Sequence, residues 1–233
     1  MRPSDLPQVR SLRLFESMDD SHFAELMQAS YLQTFPAQLE LIHEGETADF
    51  LYVVIEGCVE LFAKSNGREA TMAMVHPIGT FILAAVLRDA IYLMSARTVA
   101  RSKLLLIPAQ NVRDALEKDG LFAQAIISEL SGCYRGVVKE YKSLKLRTSV
   151  EQLANRLLRY HKERGDSDGA FELPYDKKTL ASLLGMTPEN LSRSFNTLKP
   201  YGVEVNGAQV RVTDLKALET LAKPNPLIDE RAN

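Results

Sequence analysis

Glu189, Ser192, Arg193 and Asn196 fall on one stripe of a segment with helical spacing, and they offer a carboxylate, a hydroxyl, a guanidinium fork and an amide. Leu191, Phe195 and Leu198 recur at i, i+4 and i+7 on another stripe that can be buried. A polar face this short and this mixed in charge suits groups aimed at base edges better than a generic solvated face. The helix start is sharply marked. Thr187 is a good N-cap, and Pro188 follows at the first helical position, where its fixed φ fits. Upstream, Leu180 and Leu184 face this helix, Ala181 is small where two helices cross, and Gly185 supplies a tight turn. Lys177 to Tyr201 therefore reads as a helix-turn-helix, a pattern shared with ordinary helix hairpins in cores, so context decides. Ser194 stands where such a motif often carries an aliphatic residue, which predicts a slight rotation of the packing there.

The rest of the chain must position that helix. With 233 residues, 45% hydrophobic and 25% charged, it has the composition of a soluble globular protein and room for two domains. The net charge of −2 conceals an uneven distribution: residues 135–211 carry about +5 and the remainder about −7, an asymmetry that points to a nucleic-acid surface. The longest apolar runs, such as Phe81 to Leu87, are too short to span a bilayer, and no uninterrupted apolar leader opens the chain, so the expected location is the cytoplasm. Cys58 and Cys133 lie far apart with no CxxC or Cys/His cluster, which suggests neither a disulfide framework nor a four-ligand metal site.

Along the chain the period changes twice. Leu12 to Leu32 has helical spacing, with Asp19 or Asp20 able to cap and Phe23, Leu26 and Met27 on one face. From Phe35 to about Ile107, short β-branched and aliphatic runs alternate with turns at Gly45, Gly57, Asn66-Gly67 and Gly79, which predicts a small double-sheet β-roll. After Pro108 the helical period returns. A short helix over Asn111–Glu117 precedes a long one, Leu121 to about Arg147, in which Ala123, Ile127, Leu130, Tyr134, Val137, Tyr141 and Leu144 are spaced 4,3,4,3,4,3. That seam predicts a two-chain coiled coil, because one small domain cannot cover a helix of roughly 40 Å. A further helix (Val150–Lys162), a polar turn (Arg164–Gly169), a short FELPY strand and a hairpin about Asn206-Gly207 follow, and a hairpin directly after the candidate recognition helix is a wing. The tail after Lys223, with two prolines and several charges, is expected to be mobile.

A β-roll, a long helix and a winged helix in this order resemble the Crp/Fnr family of bacterial transcription regulators. The likeness covers about residues 12 to 215 and rests on HEGETADFLYVVIEGCVELF, NGRE, PIGTFI and SARTVARSKLLLIP. It implies an α+β fold: an N-terminal double-stranded β-helix, the cyclic-nucleotide-binding-like β-roll, over 1–108; a dimerisation helix region over 109–147, with Ile127, Leu130, Tyr134, Val137, Tyr141 and Leu144 at the dimer interface; a winged helix-turn-helix over 148–223; and a tail over 224–233. It also implies no catalysis, and as partners double-stranded DNA, a second copy of the chain and RNA polymerase, with no membrane. Glu189-Asn190-Leu191-Ser192-Arg193 is similar to the E-x-x-S-R pattern of the Fnr branch, whose members bind TTGA-like half-sites. In chemical terms Arg193 can donate twice to guanine, Glu189 can accept from a cytosine amino group, and Ser192 can meet a thymine edge. Thr187 and Asn196 join this set, and Lys177, Lys199 and Lys178 are expected at phosphates, which fix register without reading sequence.

The sensor end departs from the better-known branches. Where cyclic-nucleotide binders carry Gly-Glu and Arg-Ser pairs, this chain has FILAAVLRDAIYLMSA, and Arg88 and Arg97 stand outside the expected setting, so cyclic AMP is not expected. An iron-sulfur cluster needs four thiolates, and no cysteine precedes Cys58. The run GTFILAAVLRDAIYLMSART is similar to the nitric-oxide-responsive NnrR type, which controls denitrification genes. The resemblance implies an apolar effector pocket with Phe81, Ile82, Leu83, Tyr92 and Met94 as candidate lining, although all five also suit a plain core. Haem is a candidate cofactor, with His22, His43, His76 and His161 the imidazoles on offer and no spacing that singles out a ligand pair; no other metal site is expected. Two alternatives stay open: a regulator with a different effector or none, and a metal-dependent β-roll enzyme.

Overall fold

The computed structural model describes residues 1–166 and 168–230, and the chain divides into two compact units, Met1–Cys133 and Tyr134–Asn233. Two short helical turns open the first unit, Pro3–Asp5 and α1 (Leu6–Arg10), and then α2 (Asp20–Gln28), capped by Asp19, whose carboxylate accepts from the backbone N–H groups of Ser21 and His22. The roll follows as β1 (Tyr31–Phe35), β2 (Glu40–Ile42), β3 (Phe50–Glu56), β4 (Val59–Ser65), β5 (Arg68–Val75), β6 (Thr80–Phe81), β7 (Ser95–Thr98) and β8 (Ser102–Pro108), with α3 (Leu83–Arg88) between β6 and β7. These strands form two four-stranded sheets, ordered β1-β8-β3-β6 and β2-β7-β4-β5. The expected hairpin at Asn66-Gly67 joins β4 to β5 with φ of 50° and 72°, the pair of positive angles that a type I′ turn demands. Gly57 is fixed by space as well as by its φ of 90°, because an added Cβ would stand 2.7 Å from the Arg101 carbonyl oxygen.

The first core is built from both sheets, with Leu51, Val53, Leu104 and Ile107 of one and Ile42, Val59, Leu61 and Ala96 of the other buried, and Phe15 stacked on Phe122 at 6.0 Å. Phe122 belongs to α5 (Gly120–Leu146), which follows α4 (Ala109–Lys118). Asp119 starts α5: its carboxylate accepts from the backbone N–H of Phe122 at 2.9 Å, from that of Asp19 at 2.9 Å, and pairs with His22 at 3.1 Å. Three features of this unit bear on the sequence expectations. The segment 83–88 is helical rather than part of a strand run. Residues 109–118 pack Ala109, Val112 and Ala115 into the first core, so the boundary of that unit lies well beyond Pro108. Leu130 is half-buried against the same core, which removes it from the open part of the seam.

The second unit begins inside α5 and continues with α6 (Ser149–Arg164), β9 (Ala170–Glu172), α7 (Lys177–Leu183), α8 (Pro188–Leu198), β10 (Val203–Asn206), β11 (Gln209–Val212), α9 (Leu215–Ala222) and α10 (Pro226–Asp229). A capping box opens α6, in which Thr148 and Glu151 each bond the other's backbone N–H. Leu153, Leu157, Leu180, Leu191, Leu198 and Leu218 form the second core under a three-stranded sheet ordered β10-β11-β9. The strand expected over FELPY is limited to Ala170–Glu172. The wing turn is shifted by one residue: Asn206 pairs with Gln209 as the last strand residue, and Gly207-Ala208 make the loop, with the positive φ only at Gly207. The expected mobile tail is instead ordered through α10, and its last three residues, 231–233, lie outside the described residues, as does Ser167 of the polar turn.

Candidate nucleic-acid interface

Asp176 caps α7, accepting from the backbone N–H of Thr179 at 2.7 Å, and Leu180 and Ala181 bury its inner face. The chain then turns at Gly185 with φ of 62°, where an added Cβ would lie 3.3 Å from the Leu144 side chain. Thr187 caps α8 as expected, its hydroxyl accepting from the Asn190 N–H at 3.2 Å, with Pro188 at the first position. Leu191, Ser194, Phe195 and Leu198 are buried, whereas Glu189, Ser192, Arg193 and Asn196 are exposed. The four side chains expected to read bases therefore share one open surface. Ser194 is 4% exposed beside a buried Phe195, so the serine is part of the buried face.

Electrostatics favour the ionised form of Glu189. The Thr187 hydroxyl, then the Glu189 backbone N–H and Arg193, hold the Glu189 carboxyl below the usual range, so it is an acceptor at neutral pH. Arg193 Nη2 donates to the Asn190 side-chain carbonyl, one turn back on the same helix. Asn190 is not among the expected site residues. Its i, i+3 spacing from Arg193 is the signal in the sequence that could have found it. Lys199 is exposed, and Lys177, also exposed, places its ammonium 5.7 Å from the centre of the Phe195 ring.

The expected effector residues meet a different fate. Phe81, Leu83 and Tyr92 belong to the buried core, Ile82 and Met94 pack against it, and Phe81 stacks on Tyr52 at 4.9 Å. Ile82 begins α3 from a left-handed φ of 67°, a costly position for a β-branched residue, and Arg113 of α4 binds the far end of α3 through the Val86 carbonyl at 2.9 Å and Asp89 at 3.1 Å. Thr80 donates to Glu129 of α5 at 2.8 Å. Arg97 pairs with Glu60 at 2.7 Å and Glu69 at 2.8 Å and lies over Phe62. The histidines do not converge: His22 meets Asp119, His43 meets Glu40, and His161 packs near Phe171 in the second unit. Among the described residues no group of three His, Cys, Asp or Glu side chains could hold a metal ion, and no helix is long and apolar enough to cross a membrane.

Comparison with known proteins agrees with this geometry. Residues 32–119 match the cyclic nucleotide-binding domain family, and residues 151–221 match the Crp-like helix-turn-helix domain family. The chain belongs to the Crp/Fnr family. Among curated proteins, this Crp/Fnr regulator is 20% identical over 215 residues to the CRP-like cAMP-activated global transcriptional regulator of Mycobacterium tuberculosis, covering 90% of this chain and 96% of that protein. Among solved structures, it is similar to a regulatory protein from Silicibacter pomeroyi DSS-3, with 28% identity, a TM-score of 0.59 and coverage of 96% of this chain and 100% of that one. FixK2 from Bradyrhizobium japonicum shares the fold, with a TM-score of 0.71 at 21% identity over 84% of this chain and 98% of that one. The matched domains and relatives are transcription regulators of the Crp/Fnr family, not enzymes. The cyclic-nucleotide ligand implied by the first domain is not matched by the residues present. Around α3 the side chains buried in the core are apolar or aromatic; Arg113 of α4 is committed to the Val86 carbonyl and Asp89, Arg97 of β7 to Glu60 and Glu69, and Arg88 at the end of α3 is exposed, so among the described residues the buried set offers a cyclic phosphate no free charge partner.

Proposed function

We propose that this DNA-binding regulator acts as a homodimer on a palindrome of TTGA-like half-sites. The α8 face carries the reading: Glu189, Ser192 and Arg193 are exposed together on a helix whose opposite face is locked in the core. Arg193 reads guanine, Glu189 accepts from cytosine, Ser192 meets thymine, Asn196 extends the face, Thr187 fixes the helix start, and Lys177 and Lys199 lie at phosphates. The dimer reading is supported by α5, where Ile127, Tyr134, Val137, Tyr141 and Leu144 are between 48% and 71% exposed. An apolar stripe at heptad spacing and open to water is the face that a second copy covers. In a gel-shift titration the protein retards a duplex with TTGA and its inverted repeat, half-sites centred one helical turn apart, about 34–36 Å, and a scrambled duplex only at much higher concentration. Equal retardation of both sinks the base-reading role.

We infer that the signal is nitric oxide and the targets are denitrification genes, on the similarity of the α3 region to NnrR-type regulators. Haem would supply an iron that binds nitric oxide, and the dispersed histidines offer at most one axial ligand each. Absorption spectra of anaerobically prepared protein, before and after haem and nitric oxide are added, test this. A Soret band that shifts with nitric oxide is expected. A spectrum without one, together with operator affinity indifferent to nitric oxide, favours a constitutive regulator.

A further inference from the structure

The composition of the C-terminal segment predicts a loose tail, and its contacts are the reverse. Within the second unit, Arg147 ends the run of α5 and is only 7% exposed. Its two terminal nitrogens donate to the two carboxylate oxygens of Asp229, at 2.7 and 2.5 Å, across 82 residues of sequence. Such a bidentate charge pair is both strong and directional. The Asp229 carboxylate also accepts from the Asn225 N–H at 2.7 Å, and the Asn225 side chain caps α10 by accepting from the Leu227 N–H. Lys139, two turns earlier on α5, donates to the Glu230 carbonyl oxygen. The segment is anchored at its other end too, since the Ala222 carbonyl accepts from Asn155 of α6 at 2.6 Å and Lys223 pairs with Glu151 at 3.2 Å.

The charge balance gives the reason for these contacts. A cavity of about 30 Å³ is lined by Lys139, Arg147, Arg156 and Arg159 and by two carboxylates, Glu140 and Asp229. Glu140 pairs with Arg156 at 3.1 Å and approaches Arg159 at 3.9 Å. Without Asp229, four cations share one carboxylate, and a nearly buried Arg147 loses its partner, which is the costly way to leave a charge. The same cavity is lined by Leu184 at the end of α7, and Leu144 touches the turn at Gly185. The segment thus crosses the joint where α5 gives way to α6 beside the helix-turn-helix.

We propose that Asn225–Glu230 is a strap that locks this joint, with the Arg147–Asp229 pair as its latch. Closed, it holds the last turns of α5 against α6 and the turn before α8. Open, the joint about Arg147-Thr148 is free to bend, so the direction in which α8 is presented depends on the strap. The consequence for DNA rests on the proposed operator reading. The latch itself does not, and its test uses no DNA.

Hydrogen exchange on the full chain, followed peptide by peptide, tests it with three variants: Asp229→Asn, Asp229→Glu, and a chain ending at Pro224. The expected result for Asp229→Asn and for the shortened chain is exchange faster by about tenfold over residues 139–150, the effect of losing one charge-assisted bond of ordinary strength, with the first unit unchanged. Asp229→Glu, which keeps the charge, is expected to stay near the parent. Exchange at the parent rate in both Asp229→Asn and the shortened chain overturns the strap. Equal loosening by Asn and Glu overturns the ion pair as its latch.

Discussion

Replacement of Arg193 by alanine is expected to weaken binding to the palindromic duplex by about 1–3 kcal/mol per half-site and to leave a scrambled duplex almost unaffected, as fluorescence anisotropy on the two would measure. Lys199→Ala is expected to do the opposite. It weakens both duplexes alike and lowers the slope of log affinity against log salt by about 1 for each phosphate no longer neutralised. Asp119 makes a prediction about acid. The backbone N–H of Phe122, then that of Asp19 and the imidazole of His22, bring its carboxyl down from 3.8 to about 2 in the folded chain. The folded pKa lies below the unfolded one, so its contribution is fully present above about pH 4 and is lost as pH falls towards 2. Thermal unfolding of the first unit in Asp119→Ala should lie lower by about 1 kcal/mol at pH 7, with the gap narrowing as pH falls below about 4 and closing only below about 2. Thr187, Pro188 and the α8 faces are legible in sequence because caps and period are local. Asn190 is legible only through its i, i+3 spacing from Arg193, because its side chain bonds that guanidinium and carries no signal of its own.

Among elements, α5 is the most exposed to test. Ile127→Ser with Val137→Ser removes two apolar members of the open stripe that do not enter either core. Sedimentation velocity at micromolar concentration is expected to show dimer for the parent and monomer for the pair, with an unchanged far-ultraviolet dichroism spectrum. A parent that sediments only as monomer defeats the reading of that stripe. The hairpin β4–β5 is legible from Asn66-Gly67 alone, because those two residues are suited to the turn they occupy. The helix α3 is not. It begins from a strained Ile82 and is held by Arg113 from α4, a tertiary contact with no local trace in the FILAAVLR segment. The tail is illegible for the same reason, since prolines and charges describe a loose segment until Arg147 is brought to Asp229 by the fold.

For the whole molecule, two separate cores predict two separable stabilities. Leu157 is fully buried in the second core, and Leu157→Ala is expected to cost that unit about 2–5 kcal/mol, read by hydrogen exchange in α6 and α8, while exchange in β3 and β8 stays at the parent rate. The order of roll, long helix and winged helix is legible because each segment has its own period. The division between units is not, because it falls at Cys133-Tyr134 inside a helix whose backbone is continuous from Gly120 to Leu146. The open stripe on that helix has a further effect beyond geometry. When pairing of two chains precedes occupation of a palindrome, and chains are scarce relative to their pairing constant, the occupied fraction grows with the square of chain concentration. On the proposed dimer, doubling the supply of this protein would quadruple the early occupancy of its sites, so a seam that pairs two chains would make the response steeper than one chain binding alone could give, before any effector is involved.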